Sequence, residues 1–329
     1  MKDLDNIKNF ISKLANENYA EWYDQWGDYS VQIGDNLVQH YLGKEGCRFL
    51  VSDFLDLKYN EPYDFSQIVS IGGFQVHNQG KKEAQSSNYD LTTIPIPLSN
   101  DSFGTNRYSI TGNEQFPSIC SGYPRRTIID LQELSKFGIC HSYNGIGEFL
   151  GLYYSVIDYA QKDDITPDEE CLSYIIENVE HIIHLFNDKN ERETIRYIAI
   201  VLVIKILIMR INKDHRIGCG IDHSIARILE REHKFPHGKA VFMGCMIVSV
   251  LLPEWEKWGL SLPLLMDLGH SLGFFGKKDG EFLHQINIEN LVQEAIKIRQ
   301  DRKTMLQRLS KEQIRTAQFN LIQYLKWDI

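Results

Sequence analysis

Three residues in separate segments of this chain have the types and setting of metal ligands: Glu148, His223 and His237. Each histidine lies at the start of a stretch with helical apolar spacing, and two such helices joined by a short loop can bring both imidazoles to one point. Two neutral imidazoles and one carboxylate leave a coordination position for water or a substrate oxygen, as a Lewis-acid site requires. The chain has eleven histidines, and any one of them alone is more often a surface or core residue. The spacing by itself therefore leaves open the interpretation that these histidines are surface or core residues and not ligands.

The surrounding sequence predicts the helices that hold these residues. Ile221–Glu232 has helical composition, Pro236-His237-Gly238 interrupts the chain, and Lys239–Leu252 forms a second apolar helix. Gly145-Ile146-Gly147-Glu148 opens a further apolar helix, so Glu148 is predicted to lie in a first turn. We therefore expect the carboxylate and both histidines to lie near helix starts.

The first half of the chain alternates short apolar runs with helical patterns, which is typical of a parallel sheet covered by helices. The predicted strands are 48–52, 67–71, 91–97, 108–111 and 126–129, with a helix at 37–42 and an amphipathic helix or two within 5–26. From Leu131 onward the pattern is helical. This predicts an α/β domain, residues 1–137, with an extra N-terminal helix, and an all-helical domain, residues 138–329. We expect a ligand cleft between them.

Composition narrows the class of function. The chain has 329 residues, a net charge of −9 and a pI of about 5.7, which argues against nucleic acid or an anionic membrane as the main partner. Its six cysteines form no CxxC pair, so reduced thiols are expected. The charged start carries no signal-peptide pattern, and we expect a cytoplasmic protein that acts on a small molecule. A homo-oligomer is compatible with this sequence.

These segments resemble the superfamily of iron- or zinc-dependent alcohol dehydrogenases, glycerol dehydrogenase, glycerol-1-phosphate dehydrogenase and dehydroquinate synthase. His237-Gly238-Lys239-Ala240-Val241 resembles its His-Gly-x-x-Val metal turn. Gly218–His223 is similar to the Gly-Ser-Gly-x-Glu-His of the glycerol-1-phosphate branch, and Ile298–Leu306 resembles that branch's Ile-Arg-x-Asp-Arg-Tyr-Thr-x-Leu. The resemblance runs from about Gly72 to Leu306. It implies a Rossmann-like, shortened N-terminal domain, a helical metal-binding domain, and Glu148, His223 and His237 as ligands of zinc, iron(II), nickel or manganese.

The resemblance also implies a nucleotide turn, Gly-Gly-Gly-x-x-x-Asp-x-x-Lys in the family. Here it reads Gly72 to Lys81, and the implied NAD(P) contacts are Gly72, Gly73, Asn78, Lys81 and Ser99. Phe74 replaces the third glycine, and a side chain there can block close approach of the phosphates. The span between the first two predicted strands is also too short for a further strand and helix. NAD(P) binding is therefore implied by the resemblance and opposed by these residues.

The loop Leu98–Thr105 resembles the family's Pro-Thr-x-x-Ser-Asn-Asp-Gly, in which the aspartate orients substrate hydroxyls. This implies that role for Asp101, although Ser-Asn-Asp alone is ordinary turn chemistry. The implied activity interconverts a hydroxyl and a ketone on a small polyol or polyol phosphate, with NAD(P). Two alternatives stay open: an NAD-independent lyase, isomerase, hydrolase or cyclase, and a non-catalytic binding subunit. The dehydroquinate synthase branch is less favoured, because Gly151 stands where that branch has a lysine.

Overall fold

The structure is a computed structural model that describes residues 4–5, 7–9, 12, 20–23, 29–53, 55, 57–58, 64–109, 118–273, 275–298 and 303–325. The chain forms two compact units, one of residues 2–145 with 190–211 and one of residues 146–189 with 212–329. Residues 190–211, which belong to the second half of the sequence, are thus part of the first unit. The two functional domains, 1–137 and 138–329, stay a prediction.

The first unit is built on a six-stranded sheet with the order β1-β2-β8-β5-β4-β3. Strand β1 is antiparallel to β2, and every other neighbouring pair in this sheet is parallel. Its central strands are buried almost completely, as expected for a sheet covered on both faces. The strands of the described chain are β1 Ala20–Tyr23, β2 Ser30–Gly34, β3 Cys47–Val51, β4 Gln67–Gly72, β5 Asp90–Pro95, β6 Arg107–Ser109, β7 Ser118–Cys120 and β8 Arg126–Asp130.

As predicted, strands and helices alternate in the first half of the described chain, and helices alone follow β8. Strands β6 and β7 form a separate antiparallel pair, and after β8 the described chain is helical apart from turns and loops. In chain order the helices are α1 Leu37–Leu42, α2 Phe74–Ser87, α3 Leu131–Lys136, α4 Ile139–Gln161, α5 Glu169–Asn187, α6 Glu191–Ile211, α7 Ile221–His233, α8 His237–Leu251, α9 Leu262–Ser271, α10 Lys277–Gln285, α11 Ile288–Ile298 and α12 Lys311–Leu325. An α/β unit with a shortened Rossmann-like sheet and an all-helical unit confirm the predicted fold class.

The N-terminal prediction is partly wrong. Residues 4–5, 7–9 and 12 are helical, but Ala20–Tyr23 forms the edge strand β1. Aromatic residues at Trp22 and Tyr23 favour strands, and the free edge of β2 supplies hydrogen-bond partners that local helical spacing does not reveal. Residues 6, 10–11, 13–19 and 24–26 of that prediction lie outside the described residues, as do residues 110 and 111 of the predicted strand at 108–111.

The start of α4 also differs from prediction. The helix begins at Ile139 and not near Gly145, so Glu148 lies well inside it and not in its first turn. Gly138 has a φ of 74° and so ends α3 in a left-handed conformation. The backbone N–H of Ile139 then donates to Glu191 Oε1 over 2.8 Å. This cap comes from a residue distant in sequence, which explains why local patterns placed the start too late.

Within the helical unit, α7 and α8 form a hairpin across the short loop Lys234–Pro236. Lys234 has a φ of 59°, and its N–H donates to Glu230 O, which ends α7. Pro236 precedes α8 and cannot continue the first helix. Helix α8 is buried on all sides after its first turn, which makes it a central helix of this unit. No helix in the described part of the chain combines the length and apolarity that crossing a bilayer demands.

Candidate metal centre

The helical unit brings the three predicted metal ligands together. Glu148 comes from the middle of α4, His223 from the first turn of α7, and His237 from the first residue of α8. One ligand atom from each lies within 4.8 Å of the others. His223 Nε2 is 3.2 Å from Glu148 Oε1, and His237 Nε2 is 2.9 Å from Glu148 Oε2. The two Nε2 atoms thus face the two oxygens of one carboxylate.

A close approach between α4 and α8 creates this geometry. A Cβ atom on Gly147 would overlap the backbone carbonyl of Gly238, so the residue beside the ligand Glu148 must be glycine. The same contact places the carboxylate of α4 next to His237, the residue that precedes Gly238. Gly147, which the sequence pattern placed near a helix start, therefore serves helix packing.

Each histidine is held by a second carboxylate. His223 Nδ1 is 2.5 Å from Asp222 Oδ2, and His237 Nδ1 is 2.5 Å from Glu230 Oε1. An ionised carboxylate can only accept, so each Nδ1 carries the proton in these bonds. With an ion bound, each imidazole would be neutral and would present the lone pair of Nε2 to that ion, as in carboxylate–histidine–metal triads. Asp222 and Glu230 were not among the predicted site residues.

The charge of the cluster favours a cation. Burial lowers the pKa of His237, but the Glu230 and Glu148 carboxylates more than offset this and raise it to about 9. Burial raises the pKa of Glu230, whereas His237, followed by Arg227, lowers it to about 2. The metal-free protein thus places a proton on His237. A divalent ion held by Glu148, His223 and His237 would replace that proton.

The donor atoms fit a first-row divalent ion. Two donors about 2.1 Å from a tetrahedral zinc lie about 3.4 Å apart. The observed separations from Glu148, 2.9 and 3.2 Å, approach this spacing before any ion draws the ligands into place. Two imidazole nitrogens and one carboxylate oxygen suit zinc, iron(II), nickel or manganese, the ions named from the sequence.

Access to the cluster is uneven. The side chains of Glu148 and His223 are 1% and 3% exposed, whereas that of His237 is 23% exposed. A ligand from solvent therefore reaches the cluster from the side of His237. The deep side, behind His223, is closed by Asp222, which is fully buried.

Gly151 explains one departure from the dehydroquinate synthase pattern. A Cβ atom there would lie 2.6 Å from Asp222 Oδ2 and 2.7 Å from Val241 Cγ1. A lysine at this position would push Asp222 away from His223. The space that a lysine needs is occupied by the carboxylate that orients a predicted ligand.

In the α/β unit, the predicted nucleotide turn has the expected strand–turn–helix form. Strand β4 ends at Gly72, and α2 begins at Phe74. Gly72 has a φ of 147°, and a Cβ atom there would overlap Ser52, so glycine is required. A Cβ atom on Gly73 would meet nothing within 4 Å, so the backbone is open there. Phe74 is half-buried in the first turn of α2.

Asn78 and Lys81 make contacts inside this unit. Asn78 Nδ2 donates to Ser109 O over 3.5 Å, and Lys81 Nζ donates to Thr105 Oγ1 over 3.0 Å. Lys81 also donates to the carbonyl oxygens of Ser102 and Arg107. Burial lowers the pKa of Lys81 to about 7, against the opposing effect of Asp101. Both side chains thus hold the segment that follows β5, and their contact with a cofactor stays a prediction.

Asp101 and Ser99 lie in the predicted loop of the α/β unit. Asp101 Oδ2 is 3.2 Å from Lys205 Nζ on α6, and that lysine is fully buried. Ser99 is half-buried and its Oγ accepts from Asn100 Nδ2 over 3.2 Å. Asp101 therefore takes part in a buried ion pair, which the sequence did not predict. The metal ligands belong to the helical unit, and the predicted roles of Asp101 and Ser99 stay predictions.

Comparison with known proteins identifies the fold. No family model matches this sequence, and no curated protein matches it. Solved structures do match. Glycerol dehydrogenase from Schizosaccharomyces pombe has a TM-score of 0.59 and 16% identity over 80% of this chain and 71% of that chain. An iron-containing alcohol dehydrogenase from Corynebacterium glutamicum has a TM-score of 0.60 and 12% identity over 90% and 94%.

Maleylacetate reductase from Rhizobium sp. strain MTP-10005 is similar as well, with a TM-score of 0.56 and 16% identity over 79% of this chain and 75% of that chain. By name these proteins are a glycerol dehydrogenase, an iron-containing alcohol dehydrogenase and a maleylacetate reductase. At such identities the likeness shows the fold, and the predicted resemblance to iron-containing alcohol dehydrogenases is confirmed in fold.

Proposed function

We propose that this protein is a divalent-metal-dependent oxidoreductase that interconverts a hydroxyl and a ketone on a small polyol or polyol phosphate. The observation that carries the proposal is the convergence of Glu148, His223 and His237 with both Nδ1 atoms bonded to carboxylates. A neutral imidazole has one N–H donor and one acceptor nitrogen, whereas both nitrogens of each of these rings face carboxylate oxygens, which can only accept. That arrangement suits ligands of a cation.

Each residue then has a defined task. Glu148, His223 and His237 would bind the ion, while Asp222 and Glu230 would keep each Nε2 available. A divalent ion at this position supplies a Lewis acid that lowers the pKa of a substrate hydroxyl. The exposed edge of His237 gives a small hydroxylated substrate access to the centre. Asp101 is proposed to orient a substrate hydroxyl, with Lys205 fixing its carboxylate.

The substrate class rests on two lines of support. Structural neighbours named as glycerol dehydrogenase and iron-containing alcohol dehydrogenase favour an alcohol or polyol. The segments Gly218–His223 and Ile298–Leu306 are similar to the glycerol-1-phosphate branch and favour a phosphorylated polyol. We therefore propose a polyol phosphate as the first substrate to test and the free polyol as the second.

The proposed hydride acceptor is NAD(P), bound at the turn between β4 and α2. The open backbone at Gly73 and the N-terminus of α2 can receive a pyrophosphate. Phe74 is the feature that favours the alternative, a redox-neutral lyase, isomerase, hydrolase or cyclase that uses the metal alone. Its side chain lies in the helical turn where the family has its third glycine.

The test begins with the metal-loaded protein. Elemental analysis should find one divalent ion per chain, and calorimetric titration with NAD+, NADH, NADP+ and NADPH should find binding. Polyol phosphates and polyols are then assayed for reduction of the bound nucleotide. Metal without nucleotide binding would refute the oxidoreductase and move the search to redox-neutral reactions. His237→Ala serves as the metal-site control.

A further inference from the structure

Ser155 lies behind the metal centre in a chain of buried hydrogen bonds. Its Oγ is 2.9 Å from Asp222 Oδ1, and Asp222 Oδ2 is 2.5 Å from His223 Nδ1. Ser155 and Asp222 are both fully buried, and His223 is 2% exposed. Because water is excluded, the orientation of Asp222 depends on these protein partners.

The donor and the acceptor in each of these hydrogen bonds can be assigned from Gly220, at the end of the chain away from His223. The backbone N–H of Gly220 donates to Ser155 Oγ over 2.7 Å. An ionised carboxylate can only accept, so Ser155 donates its single hydroxyl proton to Asp222 Oδ1 while its oxygen accepts from Gly220. Asp222 thus accepts from Ser155 at Oδ1 and from the Nδ1–H of His223 at Oδ2. With Nδ1 as the donor, Nε2 of a neutral His223 ring would carry the lone pair that a metal ligand needs.

The backbone packing leaves this arrangement little freedom. A Cβ atom on Gly220 would lie 2.9 Å from Ser155 Cα, so the start of α7 rests directly on α4. Gly151, one turn earlier on α4, presses against the other side of Asp222. Asp222 is thus enclosed between two positions of α4, and the Ser155 hydroxyl holds the carboxylate oxygen that does not bond to His223.

We infer that Ser155 is a positioning residue for the metal centre, acting through Asp222 on His223. The inference rests on the proposed metal site. Outer hydrogen-bond partners of metal ligands typically change metal affinity by about 10–100-fold when they are removed. Ser155 is one step further out, and we expect Ser155→Ala to weaken zinc binding by about tenfold.

The experiment is a double-mutant cycle on the full chain, read as the zinc dissociation constant from competition with a chromophoric chelator. The variants are Ser155→Ala, Asp222→Asn and the combination. If Ser155 acts through Asp222, its substitution has little further effect in the Asp222→Asn background. Independent, additive effects of the two substitutions would overturn the inference.

Ser249→Ala is the matched control. Ser249 is buried in the same unit and its hydroxyl pairs with Tyr154 OH over 2.6 Å, but it does not contact Asp222. Its substitution should lower the unfolding midpoint as Ser155→Ala does, with a zinc dissociation constant close to that of the native chain. If Ser155→Ala does not fold, Ser155→Cys, a weak donor of similar shape, should give an intermediate loss of affinity.

The outcomes separate this inference from the proposed function. A native protein that binds zinc but transfers no hydride refutes the oxidoreductase, and the role of Ser155 can still be measured from the zinc dissociation constant. Native zinc affinity in folded Ser155→Ala refutes the positioning role alone. A native protein that binds no divalent ion refutes both.

Discussion

Gly151→Ala is expected to disturb folding and metal binding together, because one methyl group enters the space of Asp222. The added Cβ would lie 2.6 Å from Asp222 Oδ2, 2.7 Å from Val241 Cγ1 and 3.1 Å from His223 Cε1. Ordinary van der Waals contact begins at 3.4 Å, so the closest overlap is about 0.8 Å. The neighbours come from α7 and α8, so neither helix can yield without moving the site.

This overlap should change both the free energy of unfolding and the metal affinity. Overpacking a close-packed interior costs about 1–3 kcal/mol in the free energy of unfolding. Displacing Asp222 from His223 removes an outer partner of a metal ligand, worth about 10–100-fold in metal affinity. We therefore expect a lower urea midpoint in chelator and a zinc dissociation constant raised by about that factor.

The assay compares urea unfolding of the metal-free protein with chelator competition of the folded protein. Gly276→Ala is the control, since a Cβ there meets only Asp279 Oδ2 at 4.0 Å, and the residue has a φ of −147° that alanine adopts readily. If Gly151→Ala matched this control in both measurements, the argument that Gly151 makes room for Asp222 would be refuted.

Three further predictions address the metal, the cofactor and pH. His237→Ala should abolish metal retention, because it removes the accessible ligand, and unchanged metal content by elemental analysis would contradict the assignment. Phe74→Gly should strengthen NAD(P) binding by clearing the pyrophosphate approach, so equal titration curves for the two proteins would count against a blocked turn. Burial raises the pKa of Asp158 from 3.8 to about 7, against hydrogen bonding from Met305. The buried neutral form of Asp158 therefore stabilises the folded protein fully below pH 3.8, and this stabilisation is lost as the pH rises through 7. Asp158→Asn should flatten the dependence of the urea midpoint on pH over this range.

Local chemistry predicted much of the site. Proline and glycine around His237 marked the break between α7 and α8, and the ligand types then pointed to one metal centre. Strands β3, β4, β5 and β8 were recognisable because buried parallel strands are continuous apolar runs, whereas β1, β2 and β7 were not predicted. These features depend on residues close in sequence.

What the sequence did not reveal depends on distant partners. The start of α4 is set by Glu191, and the burial of Lys81 follows from the loop that it holds. Asp222 and Glu230 act through the direction of their side chains, which spacing does not give. An acid directly before His223 was the available signal for one of them.

Because the predicted ligands lie on three helices, the proposed metal would make the lifetime of the folded helical unit depend on the free metal concentration. Two ligands lie in the first turns of α7 and α8, and the third lies inside α4. An ion that binds only the folded state stabilises it by about 2.7 kcal/mol at a hundred times its dissociation constant. Amide hydrogen exchange and proteolysis that require this unit to open would slow about a hundredfold at that concentration. Metal scarcity would thus shorten the life of the protein as well as empty its site.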